Sequence, residues 1–205
     1  ISINPQTMSD QVLQAIGRRH TARDIREAFC TAREVGFACI NMDLIAGLPQ
    51  DSVEGFRDSL EEVLALRPEN ITVHTLAMKK GSRLMEEGGA LPSSEETGRM
   101  VNLSLEALEG AGYRPYYLYR QKYMSGGLEN VSWCLPGTEN HYNIIMMEEL
   151  QSVLSLGAGG VTKLVDRSSG RIVRLTNPKY PHDYLAMSAK VLEQKDEILR
   201  FYREV

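Results

Sequence analysis

Apolar positions in the first part of the chain alternate between strand-like runs and helix-like spacing. Strand starts are predicted at about residues 2, 38 and 71. After Ser9 and again after Thr21, apolar residues recur at intervals of three and four, which predicts helices that end at Gly17 and Gly36. A third such helix follows Ser52, ahead of the third strand. This order of elements predicts parallel β/α units, in an open sheet or a closed barrel.

The first two strands carry further expectations. The second, from Phe37 to Ile45, is nearly unbroken apolar sequence, which is typical of a strand covered on both faces. The first begins at Ile1, so we expect a sheet edge that is open or closed by chain upstream of that residue. The alternative is a three-stranded sheet whose edge is covered by the C-terminal half.

The second part of the chain has a different pattern. Its predicted elements are, in order, a helix from Ser93 or Ser94 through Leu108, a β-prone run at 113–121, a loop-like stretch at 124–140, a strand at about 152–156, a hairpin around Asp166–Gly170 and one long amphipathic helix at the C-terminus. This change of pattern predicts a domain boundary near residue 88, between a β/α domain at 1–88 and a mixed α+β domain at 89–205.

Composition excludes several classes of function. The formal net charge of −4 removes the electrostatic case for a nucleic-acid partner. The sequence has no apolar run of about 18 residues, so no membrane span is expected. Cys30, Cys39 and Cys134 are too few and too scattered for a disulfide framework or a metal-ligand pattern. We expect a reducing, cytoplasmic location, with Cys30 and Cys39 as small buried residues.

Polar residues near the ends of the predicted strands are the first candidates for a binding site, because parallel β/α folds bind ligands at the carboxyl ends of their strands. These residues are Gln6, Asp43, His74 and Thr75. Asp43 stands between Met42 and Leu44 and needs partners to offset its desolvation. Backbone amides or a pair of ligand hydroxyls would both serve, and the residues alone leave the two open.

Other candidates have a structural interpretation beside the functional one. Arg18 and His20 follow a predicted helix end, where a solvated side chain is the more frequent case and a ligand contact the alternative. The glycine cluster at 157–160 suits a tight turn better than a phosphate loop. The tyrosines at 116, 117 and 119 suit a core cluster as much as a binding platform. From these residues alone, the chain is predicted to be a β/α ligand-binding protein without an assigned reaction.

Three segments occur in an informative order: Ile1-Ser-Ile-Asn-Pro-Gln-Thr7, Gly17-Arg-Arg-His-Thr21 and Asn41-Met-Asp-Leu-Ile-Ala-Gly-Leu-Pro49. Together they strongly resemble the second half of the radical SAM core in oxygen-independent coproporphyrinogen dehydrogenases. Later segments, at 113–122, 128–131 and 156–159, look most like the HemZ branch of that family. The resemblance implies an α/β fold, the second half of a radical SAM partial (β/α)6 barrel, followed by a mixed α+β C-terminal domain.

The resemblance also implies a binding site for S-adenosylmethionine that consists of Gln6, Arg18, Asp43 and Ala77. Asp43 would accept hydrogen bonds from the ribose hydroxyls and Arg18 would pair with the methionyl carboxylate. Gln6 would bond a sugar or amino-acid group, and Ala77 would leave space for the adenine. Ala46 stands where the family usually has tyrosine, which is a departure in the local shape of the site.

The Cys-x-x-x-Cys-x-x-Cys motif, which holds the family's [4Fe–4S] cluster, is absent from the sequence. No metal ligand is therefore expected within this chain. We expect the cluster ligands to lie upstream of Ile1, so that the chain is a C-terminal fragment and inactive alone.

The function that the resemblance implies is the oxidative decarboxylation of two coproporphyrinogen propionates to vinyl groups, in haem biosynthesis. The expected partners are a porphyrinogen substrate and an electron donor for the cluster. Tyr116, Tyr119, Arg120 and Lys122 are candidates for contacts with the substrate propionates. The alternative is a haem chaperone of the same superfamily that transfers haem without decarboxylation. The Tyr-Tyr-Leu-Tyr-Arg-Gln-Lys segment at 116–122 favours the dehydrogenase.

Overall fold

The computed structural model describes residues 1–77, 90–119 and 128–204. Contacts divide the chain into two compact units, Ile1–Asn140 and His141–Val205. The elements of the first unit are β1 (Ser2–Gln6), α1 (Asp10–Ala15), α2 (Ala22–Val35), β2 (Asn41–Ala46), α3 (Val53–Leu66), β3 (Asn70–Thr75), α4 (Ser94–Gly110), β4 (Arg114–Tyr119) and β5 (Asn130–Cys134). Those of the second unit are α5 (His141–Met147), β6 (Val161–Val165), β7 (Ile172–Thr176), α6 (Pro181–Ala186) and α7 (Ser188–Glu204).

The first unit contains a mixed sheet with the strand order β1-β2-β3-β5-β4. Strands β1, β2 and β3 are parallel, and β5 runs antiparallel to both β3 and β4. The parallel β/α part of the prediction is therefore confirmed, and the three-stranded alternative is replaced by a sheet of five strands. Strand β1 lies at one edge of this sheet, while β5 pairs with the free side of β3.

The helix starts follow the predicted capping residues. The Ser9 hydroxyl accepts a hydrogen bond from the Val12 amide at the start of α1. Thr21 and Asp24 form a reciprocal capping box at the start of α2. Helix α2 ends at Gly36, which has a φ of 97° that suits glycine.

Strand β2 is buried on one face only, so the expectation that both of its faces are covered is wrong. Met42, Leu44 and Ala46 are fully buried in the main apolar core, together with residues of α2 and α3. Asn41 and Asp43, on the opposite face, are half-buried. Side chains alternate along a strand, and these two polar residues break the apolar run at every second position. The strand begins at Asn41, three residues later than predicted.

Residues after the predicted boundary belong to the same unit as the parallel strands. Helix α4 packs on α3, and β4 and β5 extend the sheet. Strand β5 lies inside the stretch 124–140 that was predicted to be loop-like, and that prediction is wrong. The predicted boundary near residue 88 lies outside the described residues and stays a prediction. The division by contacts falls between Asn140 and His141.

The second unit is a β-hairpin with helices. The predicted hairpin is confirmed, with β6 and β7 on either side of Asp166–Gly170. The predicted strand at 152–156 is reduced to a single bridge between Val153 and Lys163. The predicted long helix is two helices, because the backbone at Met187 leaves the helical conformation. The small apolar core of the second unit consists of Leu164, Leu175 and Phe201.

Two further expectations concern cysteines and membranes. Cys30 and Cys39 are exposed, so the expectation that they are buried is wrong, while Cys134 is buried. Phe29, the neighbour of Cys30, takes the inward-facing position of α2. Within the described residues, every helix falls short of the length and apolar character needed to cross a membrane.

Candidate functional site

A pocket of about 300 Å³ lies in the first unit, at the side of the sheet where the parallel strands end. It is lined by residues of all five strands and of the segment after β3: Gln6, Asp43, Ile45, His74, Thr75, Leu76, Ala77, Tyr119 and Asn130. This volume is at the lower end of the range for small-molecule sites. Three of the four residues predicted to bind S-adenosylmethionine, Gln6, Asp43 and Ala77, are among them.

Gln6 ends β1 in an unusual backbone conformation. Its φ is 70°, and the register between β1 and β2 shifts just before it. The next residues are tied to α3, because Ser59 Oγ accepts a hydrogen bond from the Met8 amide at 3.0 Å and lies 3.1 Å from Thr7 Oγ1. Left-handed backbone in a residue other than glycine persists where the surroundings hold it and is frequent at functional sites. The strand end that carries Gln6 is thus fixed in place.

Asp43 is held by side chains of the sheet. Asn41 Nδ2 donates a hydrogen bond to Asp43 Oδ1 at 2.7 Å. His74 Nε2 faces the other carboxylate oxygen, Oδ2, at 3.6 Å. The neighbours of the Asp43 carboxylate in the structure are therefore side chains. Within the described residues, the backbone amides that the sequence left open as partners are not among them. The carboxylate side chain keeps 18% of its surface exposed, at the pocket.

His74 connects this carboxylate to the last residue of β4. The Tyr119 hydroxyl lies 2.9 Å from His74 Nδ1, and the two rings meet edge to face at 6.1 Å between centroids. Because Ile45 and His74 are register partners, His74 stands two residues further toward the carboxyl ends of the strands than Asp43.

Strand β5 completes the pocket wall from the antiparallel side. Asn130 Oδ1 accepts a hydrogen bond from the Thr75 amide at 2.7 Å. The Thr75 hydroxyl is buried and has no hydrogen-bond partner among the described residues. An unsatisfied buried hydroxyl is costly and is one sign of a missing ligand or water.

The remaining predicted site residues lie elsewhere. Arg18 is exposed after α1 and does not line this pocket, and His20 is half-buried outside it. Arg120 and Lys122 lie outside the described residues. The glycine cluster forms a turn, in which Gly157 and Gly159 have positive φ and the Gly160 amide donates to the Gly157 carbonyl.

Sequence reasoning missed the residues that organise Asp43. Asn41 Oδ1 accepts a hydrogen bond from Thr72 Oγ1 at 3.1 Å, and Thr72 Oγ1 lies 2.6 Å from Ser132 Oγ. The available signal was alternation, since Asn41 and Asp43 are two residues apart in one strand and Thr72 and His74 are two apart in the next. Polar residues at every second position of adjacent parallel strands share one face of the sheet.

The chain offers no site for an iron–sulfur cluster in the part that the structure describes, where no group of three or more His, Cys, Asp or Glu residues could hold a metal ion. Burial raises the pKa of Cys134 to about 11, which disfavours the thiolate that a metal requires.

Comparisons with known proteins place the chain among relatives by sequence and by fold. No family model matches the chain. It is 41% identical to the oxygen-independent coproporphyrinogen-III oxidase-like protein HemZ of Bacillus subtilis, over the whole chain and 41% of that protein. It is 30% identical to the heme chaperone HemW of the same organism, over 63% of the chain and 35% of that protein. The chain thus spans less than half of the length of either relative.

The solved structure of coproporphyrinogen III oxidase (HemN) from Escherichia coli, described as a radical SAM enzyme, matches 87% of the chain and 40% of its own length. The TM-score is 0.65 at 19% sequence identity, so this match concerns the fold. The α/β fold with its mixed sheet is therefore similar to that of this radical SAM enzyme. By sequence, the chain belongs to the HemZ-like family of oxygen-independent coproporphyrinogen III oxidases, as the resemblance of its motifs predicted.

Proposed function

We propose that the pocket binds S-adenosylmethionine in the intact protein, and that this protein decarboxylates two propionates of coproporphyrinogen III to vinyl groups. The observation that carries the proposal is the convergence of Gln6, Asp43 and Ala77, which are far apart in sequence, on one pocket at the carboxyl ends of parallel strands. Membership of the HemZ-like family supports the same assignment.

The residues present fit the nucleoside part of this cofactor. The Asp43 side chain lines the pocket, and its carboxylate would accept hydrogen bonds from two neighbouring ribose hydroxyls. Ala77 has a small side chain at the pocket wall, where the adenine would lie.

The remaining two residues would orient the amino-acid part. Gln6 carries an amide that donates to the Asn4 carbonyl only weakly, at 3.4 Å, so it is available to a ligand. Arg18 would pair with the methionyl carboxylate, which requires its exposed side chain to swing to the pocket on binding. Of the four proposed cofactor contacts, the one from Arg18 requires the largest change in side-chain conformation.

When bound in a radical SAM protein, S-adenosylmethionine supplies the means of removing hydrogen from an unactivated carbon. Conversion of one propionate to a vinyl group releases one carbon dioxide, one proton and two electrons, and conversion of one S-adenosylmethionine to methionine and 5′-deoxyadenosine would take up that proton and both electrons. This chain's contribution is to bind and orient the cofactor at the end of the sheet. The ligands of a [4Fe–4S] cluster and the contact with an electron donor are proposed to come from other parts of the intact protein.

A haem chaperone is the second candidate, and the 30% identity to HemW of Bacillus subtilis favours it. The two candidates share the proposed cofactor site, so Gln6 and Asp43 do not separate them. They differ in what happens to the tetrapyrrole, which is either decarboxylated or bound and passed on unchanged.

The test uses the intact protein, reconstituted anaerobically with iron and sulfide and supplied with S-adenosylmethionine, a reductant and coproporphyrinogen III. Mass spectrometry of the porphyrin products should show stepwise loss of two carboxyl groups. Cleavage of the cofactor without decarboxylation, together with tight haem binding, would transfer the protein to the chaperone class.

The cofactor site has its own test by equilibrium dialysis. Asp43→Asn keeps the shape of the side chain and removes its charge, so we expect affinity for S-adenosylmethionine to fall by about ten-fold or more, as for a hydrogen bond to a charged group. Asp58→Asn changes an exposed carboxylate on α3 and is the matched control. Equal affinity in the two variants would contradict the assignment of Asp43.

A further inference from the structure

His74 stands between two other polar side chains that come from different strands. Its Nδ1 lies 2.9 Å from the Tyr119 hydroxyl of β4, and its Nε2 lies 3.6 Å from Asp43 Oδ2 of β2. The imidazole keeps only 23% of its surface exposed. The sequence placed His74 near a strand end without a role, and the family resemblance made Tyr119 a candidate substrate contact. Neither prediction connected these residues with Asp43.

The geometry favours one arrangement of protons. A tyrosine hydroxyl can donate its hydrogen to an unprotonated imidazole nitrogen, and Nδ1 is within its reach. In a neutral imidazole, the proton then resides on Nε2, the nitrogen that faces Asp43. Tyr119 thereby selects the tautomer in which His74 presents an N–H to the carboxylate.

The other oxygen of the carboxylate is fixed independently. Asn41 donates to Oδ1, and the Asn41 side-chain oxygen is itself held by Thr72. With Asn41 hydrogen-bonded to one oxygen and His74 Nε2 at 3.6 Å from the other, the Asp43 carboxylate has a polar neighbour at each oxygen that limits its rotation. A defined plane matters because two adjacent hydroxyls of a ligand are bound together only when both oxygens face them at once.

We propose that His74, oriented by Tyr119, is a positioning residue that sets the Asp43 carboxylate to recognise a vicinal pair of hydroxyls. The inference rests on the proposed function, because it takes Asp43 as the ribose contact of S-adenosylmethionine. It adds that the selectivity of the pocket for ribose over deoxyribose comes from a three-residue relay across β2, β3 and β4, rather than from Asp43 alone.

The measurement is the ratio of dissociation constants for the 2′-deoxy analogue of S-adenosylmethionine and for S-adenosylmethionine, determined by equilibrium dialysis with the intact protein. A ratio is insensitive to the fraction of protein that is folded, since loss of folded protein lowers the binding of both ligands equally. We expect a ratio of about ten-fold or more for the unchanged protein, the effect of one hydrogen bond to a charged group.

Four variants separate the possible outcomes. His74→Phe removes the donor and should reduce the ratio to within about three-fold of unity, whereas His74→Gln places an amide N–H near the position of Nε2 and should preserve most of it. Tyr119→Phe removes the group that fixes the tautomer and should give an intermediate ratio. His141→Phe, at an exposed histidine of α5, is the matched control and should leave the ratio unchanged.

The failure of this inference differs from the failure of the proposed function. If Asp43→Asn abolishes the ratio but His74→Phe and Tyr119→Phe both retain it, Asp43 binds the ribose without the relay and the inference is overturned. If Asp43→Asn also retains both the affinity and the ratio, the pocket is not the cofactor site and the proposed function is lost as well. Should His74→Phe not fold, Tyr119→Phe decides alone: an intermediate ratio supports the inference, and an unchanged ratio overturns it.

Discussion

Tyr113 offers the sharpest test of how the antiparallel strands are joined to the parallel part of the sheet. Its side chain is 2% exposed, and its hydroxyl donates a hydrogen bond of 2.6 Å to the carbonyl oxygen of Pro68, which precedes β3. Burial raises the pKa of the Tyr113 hydroxyl from 10.0 to about 12. The folded protein therefore keeps this group protonated in a pH range where the unfolded chain ionises it.

The sign follows from proton linkage. The stabilisation is fully present below pH 10 and is lost as the pH rises from 10 to 12, because only the unfolded chain releases the proton there. A shift of this size corresponds to at most about 2.7 kcal/mol. Tyr113→Phe lacks the ionising group, but it leaves the Pro68 carbonyl unpaired at a cost of about 1 kcal/mol at neutral pH.

The assay is urea unfolding of the intact protein and of Tyr113→Phe at pH 8 and pH 11, followed by circular dichroism. We expect the variant to be the less stable protein at pH 8 and the gap to close or reverse at pH 11. Tyr202→Phe, at a half-exposed tyrosine of α7, is the control and should show no such crossing. A gap between the intact protein and Tyr113→Phe that is the same at both pH values would refute the reasoning.

Two further predictions concern single hydrogen-bonding residues. Ser59→Ala removes the hydroxyl that accepts a hydrogen bond from the Met8 amide, close to Gln6. The free energy of unfolding, measured by urea unfolding, should fall by about 1–3 kcal/mol. An unchanged unfolding midpoint would show that water replaces the hydroxyl. In the β6–β7 turn, hydrogen bonds from the hydroxyls of Ser168 and Ser169 hold the pKa of Asp166 at about 2, so its stabilisation is present above about pH 4 and lost as the pH falls toward 2. Asp166→Asn should therefore be less stable than the unchanged protein at pH 6 and equal to it near pH 2 in acid unfolding, and a constant difference would contradict the pairing.

The parallel strands and their helices could be predicted from the sequence because the residues that start and end these elements act locally. Ser9, Thr21 and Ser52 cap helices within three residues of their own positions, and Gly36 ends a helix in a conformation that few other residues adopt. Strand β5 was missed since its five residues lie in a stretch rich in Gly, Asn and Ser. Only pairing with β3 and β4 makes this segment a strand, and that information is not local.

The candidate site was likewise predicted only in part from the sequence. Gln6, Asp43 and Ala77 were assigned through a family resemblance, and the structure brings them to one pocket. The relay from Tyr119 to His74 could not be predicted, because the two residues are 45 positions apart and meet only through the strand order of the sheet.

The reversal of direction at β5 has a consequence for how this pocket can change during evolution. Strand β4 ends at Tyr119 and β5 begins at Asn130, and these two register partners both stand at the pocket. The connection between β4 and β5 therefore starts and finishes at the pocket, while the two strands that it joins keep their pairing. Doubling the length of a connection costs only about 0.6 kcal/mol in closure entropy. Insertions there can alter the shape of the pocket at β4 and β5 without displacing Gln6, Asp43 and His74 on β1 to β3, which leaves the two walls of the pocket free to diverge separately.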